Sequence, residues 1–451
     1  MRFSKALDIG LFAIALYGAA SCFLVYNWNA PADDFASTYV AAQLLREGKG
    51  ASLYEYDPYQ FDKVPPGAFA ETAQQVGFTG YLHPYVHVPL AALVVRPLLV
   101  IPYTTAARVM LAVNVCSLLL SLYLLVRMTA RHAKLRWFCL AAVAMLYFYP
   151  LRYGLWLGQT TPLVLLGVTA LYCLAAAGHH KTAGIILGGV ISLKIAPLLL
   201  LFYFLLRRKW LLAMSCAVSM LLIGLCSLML AGGEGNLAFL KNIVRISGLS
   251  LASWNNVSLD GFLLRWVCDA SYIFSWQVLE LPAGMKIVKW LAVCGLLVLW
   301  FSLLRKPGER EGDHLGFSFT LVLVVIIPAI SWSHYFLLLV IPYLLLLSDL
   351  KQRLTIPRRK LLAGGVFFSY LGVGLPPTYI GVTYPLSYGR FLNDIPLVSR
   401  IPLPLLSSLC FLGGVLLLVL IVWRSSLRDR GEGTDGSPGL AVPQQGMGDQ
   451  R

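Results

Sequence analysis

Charge is scarce in this chain, and acid is the scarcer kind. Only 13% of the residues are charged, with 21 Asp and Glu against 36 Lys and Arg. A soluble domain is about a quarter charged and about half apolar, whereas 58% of this sequence is hydrophobic and its mean hydropathy is +0.73. The deficit excludes an ordinary soluble domain. The nine cysteines are scattered, mostly inside apolar runs, and none stands in a CxxC or CxxH spacing. That excludes a zinc-ligand set or a disulfide framework and leaves small core residues. A clear small-residue cleavage site is missing after the first apolar run, which therefore reads as a retained helix rather than a cleavable signal peptide. Convincing internal symmetry is also missing, which weighs against a transporter built from repeated halves. The net charge of +15 invites a nucleic-acid partner, but the basic residues lie mostly in short segments between apolar runs, where they orient a membrane protein.

What the chain has instead is long apolar runs, at 210–231, 290–304 and 405–423 among others. About 20 such residues cross a bilayer as a helix. The pattern predicts an all-α polytopic membrane protein of twelve spans, at about 9–26, 104–127, 136–150, 160–177, 182–192, 196–206, 209–231, 287–304, 315–330, 334–349, 361–376 and 403–423. Two short spans flank Lys194 and Pro197, whose charge and ring break an otherwise continuous run; such a turn needs cover from neighbours or a water-filled cavity. Residues 87–102, interrupted by Pro89, Arg96 and Pro97, read as re-entrant or surface-lying. With that choice, 22 of the 36 Lys and Arg fall on one side, including Arg127, Lys181, Arg207, Arg208, Lys209 and Arg305. The positive-inside rule then predicts both termini in the cytoplasm. Long external segments follow at about 27–103 and 232–286, a shorter one at about 377–402, and a disordered cytoplasmic tail at 424–451. Amphipathic helices are expected in the external loops.

The polar residues that hydropathy does not explain all fall on the opposite side. Asp33 and Asp34 follow the first span. Tyr81, His83, Tyr85 and His87 lie in the first external segment, and Asn255, Asn256, Asp260 and Arg265 in the second. Arg152, Gln159, Lys194 and His334 stand in outer turns. Each has a bland reading. The acids could be a solvated loop or a helix cap, Lys194 could snorkel, and Gln159 could bond backbone at a helix start. His334 could be a satisfied interfacial histidine, and Asn256-Val257-Ser258 is a formal glycosylation sequon of little specificity. Their shared side carries the argument. A carboxylate can take a proton from a hydroxyl, a cation or imidazole can neutralise a departing phosphate, and aromatic faces suit sugar rings.

The segment Asp34-Phe35, Tyr39, Ala41-Ala42, Gly48 and Leu53-Tyr54 resembles the opening of family 87 of the GT-C glycosyltransferases, which includes polyprenyl-phosphate-mannose-dependent mannosyltransferases and arabinofuranosyltransferases of bacteria. Similar short matches are Tyr85-Val86-His87-Val88-Pro89, Gly158-Gln159, Leu193-Lys194 with Pro197, Asn256 with Ser258, Leu259 and Arg265, and Trp332 with His334-Tyr335. The family more often has two prolines where Tyr85 to Pro89 stand. The resemblance implies a GT-C fold over residues 1–423 with an outward-facing catalytic cavity in the bacterial inner membrane. It implies a polyprenyl-phosphate-sugar donor, mannose being the commonest association, and a lipid or glycan acceptor. By motif the catalytic acid maps to Asp34, with Asp33 as the adjacent alternative. Substrate contacts would come from Tyr85, His87, Gln159, Lys194, Asn255, Asn256, Arg265 and His334. Two adjacent carboxylates and a phosphate could share a divalent metal, though nothing in the spacing demands one. The rival readings are a lipid-linked-sugar transporter or flippase, and a glycan polymerase or ligase using lipid diphosphate donors.

Overall fold

A computed structural model describes residues 2–60, 63–130, 134–305, 314–350, 354–377 and 401–429. The described chain is mostly helical with very little strand, in agreement with the expected all-α membrane architecture. In order, the helices are α1 (Arg2–Ala20), prolonged by a π-helical turn to Asn27, α2 (Asp33–Arg46), α3 (Ala68–Gln75), α4 (Pro89–Val95) and α5 (Tyr103–Thr129). There follow α6 (Lys134–Leu146), α7 (Tyr149–Trp156), α8 (Thr161–Ala176), α9 (His180–Leu193), α10 (Leu198–Leu206) and α11 (Trp210–Ser247). The strands β1 (Ser250–Leu251) and β2 (Val278–Leu279) pair antiparallel, Ser250 opposite Leu279, and enclose α12 (Leu259–Arg265). The chain closes with α13 (Ala283–Leu304), α14 (His314–Ile326), α15 (Val340–Asp349), α16 (Ile356–Gly374), α17 (Leu403–Leu406) and α18 (Leu409–Asp429).

Twelve full spans are not what the helices provide. Among the described residues, five are long and apolar enough to cross a bilayer, beginning at Ala6, Tyr103, Trp210, Ala283 and Leu409. A sixth is counted if α6 and α7, bent by 65°, make one span. The remaining apolar helices, such as α8, α9 and α14, have only 10–17 residues. At about 1.5 Å per residue they fall short of a hydrocarbon layer of about 30 Å. The expected span 136–150 is broken where Pro150 enters the first turn of α7, since proline is accepted there but not in a helix interior. Residues 89–100 form α4 and a short tight helical turn, in keeping with a segment that does not cross.

One expected boundary holds and another moves. The apolar helix of α11 ends where expected, at Gly232 (φ 77°), and a kink there joins it to a second, more polar helical stretch that reaches Ser247. Its polar extension is held by packing: Phe239 meets Tyr54 at 5.9 Å between ring centres, and the Asn242 side-chain amide donates to the Tyr56 hydroxyl at 2.6 Å. The expected tail from 424 begins as helix, because α18 continues to Asp429 and Arg424 is fully buried. Its Nε donates to Asp349 at 3.0 Å, and His314 reaches the same carboxylate at 3.0 Å. This ion cluster ties α14, α15 and α18. The rest of the tail, and most of the expected 377–402 loop, lie outside the described residues.

Close helix contact builds the frame of the site. A Cβ on Gly184 of α9 would stand 2.2 Å from the Leu212 carbonyl of α11, and one on Gly188 would stand 2.6 Å from Ser219. Small residues are what let two membrane helices approach this closely. The hairpin α8–α9 and helix α5 bring the start of α8, the end of α9 and the start of α5 to one end of the bundle. Arg127, Lys181, Arg207 and Arg305 sit at the opposite ends of α5, α9, α10 and α13.

Candidate functional site

The placement of Asp34 begins with a backbone turn. Ala32 adopts a left-handed conformation (φ 52°, ψ 49°), uncommon for a residue with a side chain, and the next residue starts α2. The Leu157 carbonyl, at the end of α7, accepts hydrogen bonds from the backbone N–H groups of Asp34 (3.1 Å) and Phe35 (3.2 Å). Gly158 (φ +69°) follows Leu157, and a Cβ there would lie 2.7 Å from the Phe35 Cβ and 2.9 Å from the Ala32 Cβ. Only glycine admits both that conformation and that contact. The Tyr103 hydroxyl donates to the Pro31 carbonyl at 2.5 Å, fixing the approach to α2 from α5.

This docking sets Asp34 beside Gln159. The Gln159 amide donates to Asp34 Oδ2 at 2.5 Å, and its Oε1 accepts from the Lys194 ammonium at 3.4 Å. Lys194, 8% exposed, also donates to the Thr161 hydroxyl at 3.4 Å and stands 3.7 Å over the Tyr335 ring. Cation–π contact and two polar partners compensate part of the cost of burying that charge. Gln159 itself is clamped by Asn114, whose side chain donates to the Gln159 carbonyl at 2.8 Å. The second oxygen of Asp34 faces the other way, 3.7 Å from His83 Nε2.

A cleft with about 660 Å³ of empty space, open solvent at its mouth included, joins Asp34, Gln159 and His83. Its walls carry Asp34, His87, Gln159, Asn255, Trp332 and His334. Asp34 and His334, far apart in sequence, thus share one hollow. His334 and Asn255 are each 2% exposed, yet neither ring nitrogen of His334 nor Oδ1 of Asn255 has a hydrogen-bond partner among the described residues. Buried polar atoms are nearly always bonded, which sets these three apart on the cleft wall. His87 carries no charge at neutral pH: burial, reinforced by the Lys194 charge and partly offset by Asp34, brings its imidazole down to about 4.

Four expected contacts lie elsewhere, for identifiable reasons. Asn256 is fully buried and is spent on backbone: its amide donates to the carbonyls of Leu251 (2.8 Å) and Ala329 (3.2 Å), and its Oδ1 accepts from the Ser331 N–H (2.9 Å). Arg265 is likewise buried and donates to the carbonyls of Ala252, Ser253 and Asn256 and to the Ser408 hydroxyl. Tyr85 donates to the Val88 carbonyl at 2.6 Å and accepts from the Ala92 N–H at 3.1 Å. None of the three lines the cleft. Asp33 is also outside it, packed against Gly80. Burial pushes its carboxyl up to about 6; nearby His83 opposes the shift and the Asp34 charge adds to it. The acid pair therefore offers the cleft one carboxylate rather than two, and no three His, Cys, Asp or Glu side chains come together as a metal site among the described residues.

Sequence reasoning grouped His83 with the outward polar residues without giving it a role and gave none to Trp276 or Tyr335, although all three line the cleft. Tyr335 adjoins His334 in the Trp-x-His-Tyr match and was legible there. Trp276 had no signal, since its place depends on the β1–β2 hairpin.

Glycosyltransferase family 87 is the family whose model matches this sequence, over residues 85–342. The match takes in His87, Gln159, Lys194, Asn255, Trp276 and His334, while Asp34 precedes it. No curated protein matches the chain.

Proposed function

The chain belongs to glycosyltransferase family 87, and from that premise we propose that it moves a single sugar, mannose first among the candidates, from a polyprenyl-phosphate donor to a lipid or glycan acceptor. The transfer takes place on the extracytoplasmic face of the bacterial inner membrane, with both termini in the cytoplasm. The observation that supports the reading is the cleft itself, where the Asp34 carboxylate and the His334 imidazole face one space, with the buried Lys194 ammonium adjoining it through Gln159. The orientation is supported by the basic residues at the far ends of α5, α9, α10 and α13, since Lys and Arg favour cytoplasmic loops.

In this mechanism Asp34 accepts the proton of an acceptor hydroxyl as that oxygen bonds to the anomeric carbon. The bond between that carbon and the phosphate oxygen breaks, and polyprenyl phosphate departs from the opposite face with the electron pair. One displacement inverts the anomeric centre. The leaving group is an anion and needs charge stabilisation more than a proton; Lys194 supplies it in a site shielded from water. Gln159 couples base and ammonium and holds the Asp34 carboxylate in place. His334 and Asn255 meet sugar hydroxyls or phosphate oxygens. Val164, Val324, Val325 and Leu338 form buried apolar core beside Lys194 and Tyr335 and keep water from the ammonium.

The test uses the full chain in lipid nanodiscs with polyprenyl-phosphate-[³H]mannose, scoring released polyprenyl phosphate and transferred label. Asp34→Asn is expected to lower turnover by about 10²–10⁴-fold, the range for a positioned base. Undiminished turnover in Asp34→Asn and in Asp33→Asn alike would remove the base from the mechanism. Movement of intact donor without cleavage would identify a flippase, and use of oligosaccharide diphosphate donors a polymerase or ligase.

A further inference from the structure

Asp34 turns its two oxygens to two different walls. Oδ2 faces Gln159 and through it Lys194, beside the buried apolar core at Val164, Val324 and Leu338. Oδ1 faces the mouth, 3.7 Å from His83. There three rings meet: Tyr81 and His83 at 5.0 Å, Tyr81 and Trp276 at 5.7 Å, and His83 and Trp276 at 5.4 Å between centres. Tyr81 and His83 come from the segment before α4, and Trp276 from the β1–β2 hairpin, so the cluster joins two external loops across the rim. Its rings are partly open; Tyr81 is 46% exposed, and His83 and Trp276 line the cleft. The Ser37 hydroxyl fixes the platform to α2 by donating to the His83 carbonyl at 2.7 Å.

A displacement needs its nucleophile and its leaving group on opposite sides of the reacting carbon. The inner side, with the Lys194 ammonium, suits a phosphate. The hydroxyl that yields its proton must then arrive on the rim side. We propose that the Tyr81–His83–Trp276 cluster is the acceptor subsite, and that the acceptor is a glycan or glycolipid presenting the apolar face of a sugar ring to Trp276. A hydroxyl of that ring lies within reach of Asp34 Oδ1, and His83, beside the same oxygen, is a positioning residue for the carboxylate. A plain alcohol or a serine or threonine hydroxyl has no ring face to offer and gains nothing from the platform.

The inference rests on the transferase reading, but its test does not require turnover. The full chain carrying Asp34→Asn, in nanodiscs, is probed by saturation-transfer difference NMR with octyl mannoside, octyl glucoside and octyl galactoside, and with octanol for the shared tail. Ring-proton saturation is expected for at least one glycoside. Adding Trp276→Leu should weaken it about fivefold, the scale of one aromatic contact, while Trp276→Phe keeps most of it. The proposal is overturned if no glycoside shows ring saturation, if Trp276→Leu binds like its parent, or if Trp276→Phe binds no better than Trp276→Leu. Failure here leaves the donor-release assay untouched. Absent donor release with intact ring binding would instead remove the transferase and leave a sugar-binding cleft.

Discussion

Gly158→Ala is the sharpest test of how the site is assembled, because the added methyl touches no substrate. The new Cβ would sit 2.7 Å from the Phe35 Cβ and 2.9 Å from the Ala32 Cβ. Carbon atoms prefer about 3.5–4.0 Å, so the first turn of α2 must retreat by roughly 1 Å, or the two hydrogen bonds to the Leu157 carbonyl must stretch. Two costs add: about 1–2 kcal/mol for a left-handed residue with a side chain and about 1–3 kcal/mol for overpacking. The chain should lose about 2–5 kcal/mol of stability, and the displaced carboxylate should lower turnover by about 10²-fold. Gly178 provides the control, having φ +82° with nothing within 4 Å of its added Cβ. Gly178→Ala bears the backbone strain without the collision and should keep its turnover. The assays are donor release and thermal unfolding of both variants in nanodiscs. If Gly158→Ala and Gly178→Ala turn over alike, the docking of α2 on the α7–α8 turn does not position the base, and the reasoning fails.

Two further outcomes follow from charge. Burial holds the Asp33 carboxyl at about 6, above its usual value of about 3.9. The folded chain therefore holds that proton more tightly than the unfolded chain, and the charged form costs stability as pH rises from about 4 through about 6, reaching about 3 kcal/mol above that. Asp33→Asn should raise the unfolding temperature at pH 7.5, with an advantage that fades as pH falls toward 4; a variant no more stable at pH 7.5 refutes the assignment. Lys194→Met should lower donor release by about 10²–10³-fold, as expected for loss of charge stabilisation in a shielded site, and turnover near the parent's would show that the phosphate is neutralised elsewhere.

The long apolar runs were legible because burial in lipid demands them, and five predicted spans correspond to long helices. The shorter runs were legible as helices but not as spans. Hydropathy placed the end of the apolar part of α11 correctly, at the kink at Gly232, but not the helical stretch beyond it that carries Glu234, Asn236 and Lys241. Within the site, the polar residues at outer turns converged: Asp34, His87, Gln159, Asn255 and His334 share the cleft, and Lys194 adjoins it. What hydropathy cannot distinguish is a polar group kept for a ligand from one consumed by backbone carbonyls. Asn255 and Asn256 are neighbours of identical type, yet one lines the cleft and the other bonds Leu251, Ala329 and Ser331. Tyr85 and Arg265 were misplaced for the same reason.

The segment around Asn256 has a consequence for genetics. The backbone of Val257 donates to Ser331 at 2.7 Å, and Ser333 donates back to Asn255 at 3.0 Å, one residue before His334. The imidazole thus inherits its position from a loop in which Asn256, Ser258 and Arg265 stay off the cleft wall. A survey of inactive mutants will score Asn256, Ser258 and Arg265 as heavily as groups that handle substrate, and heat sensitivity is the trait that will sort scaffolding lesions from chemical ones.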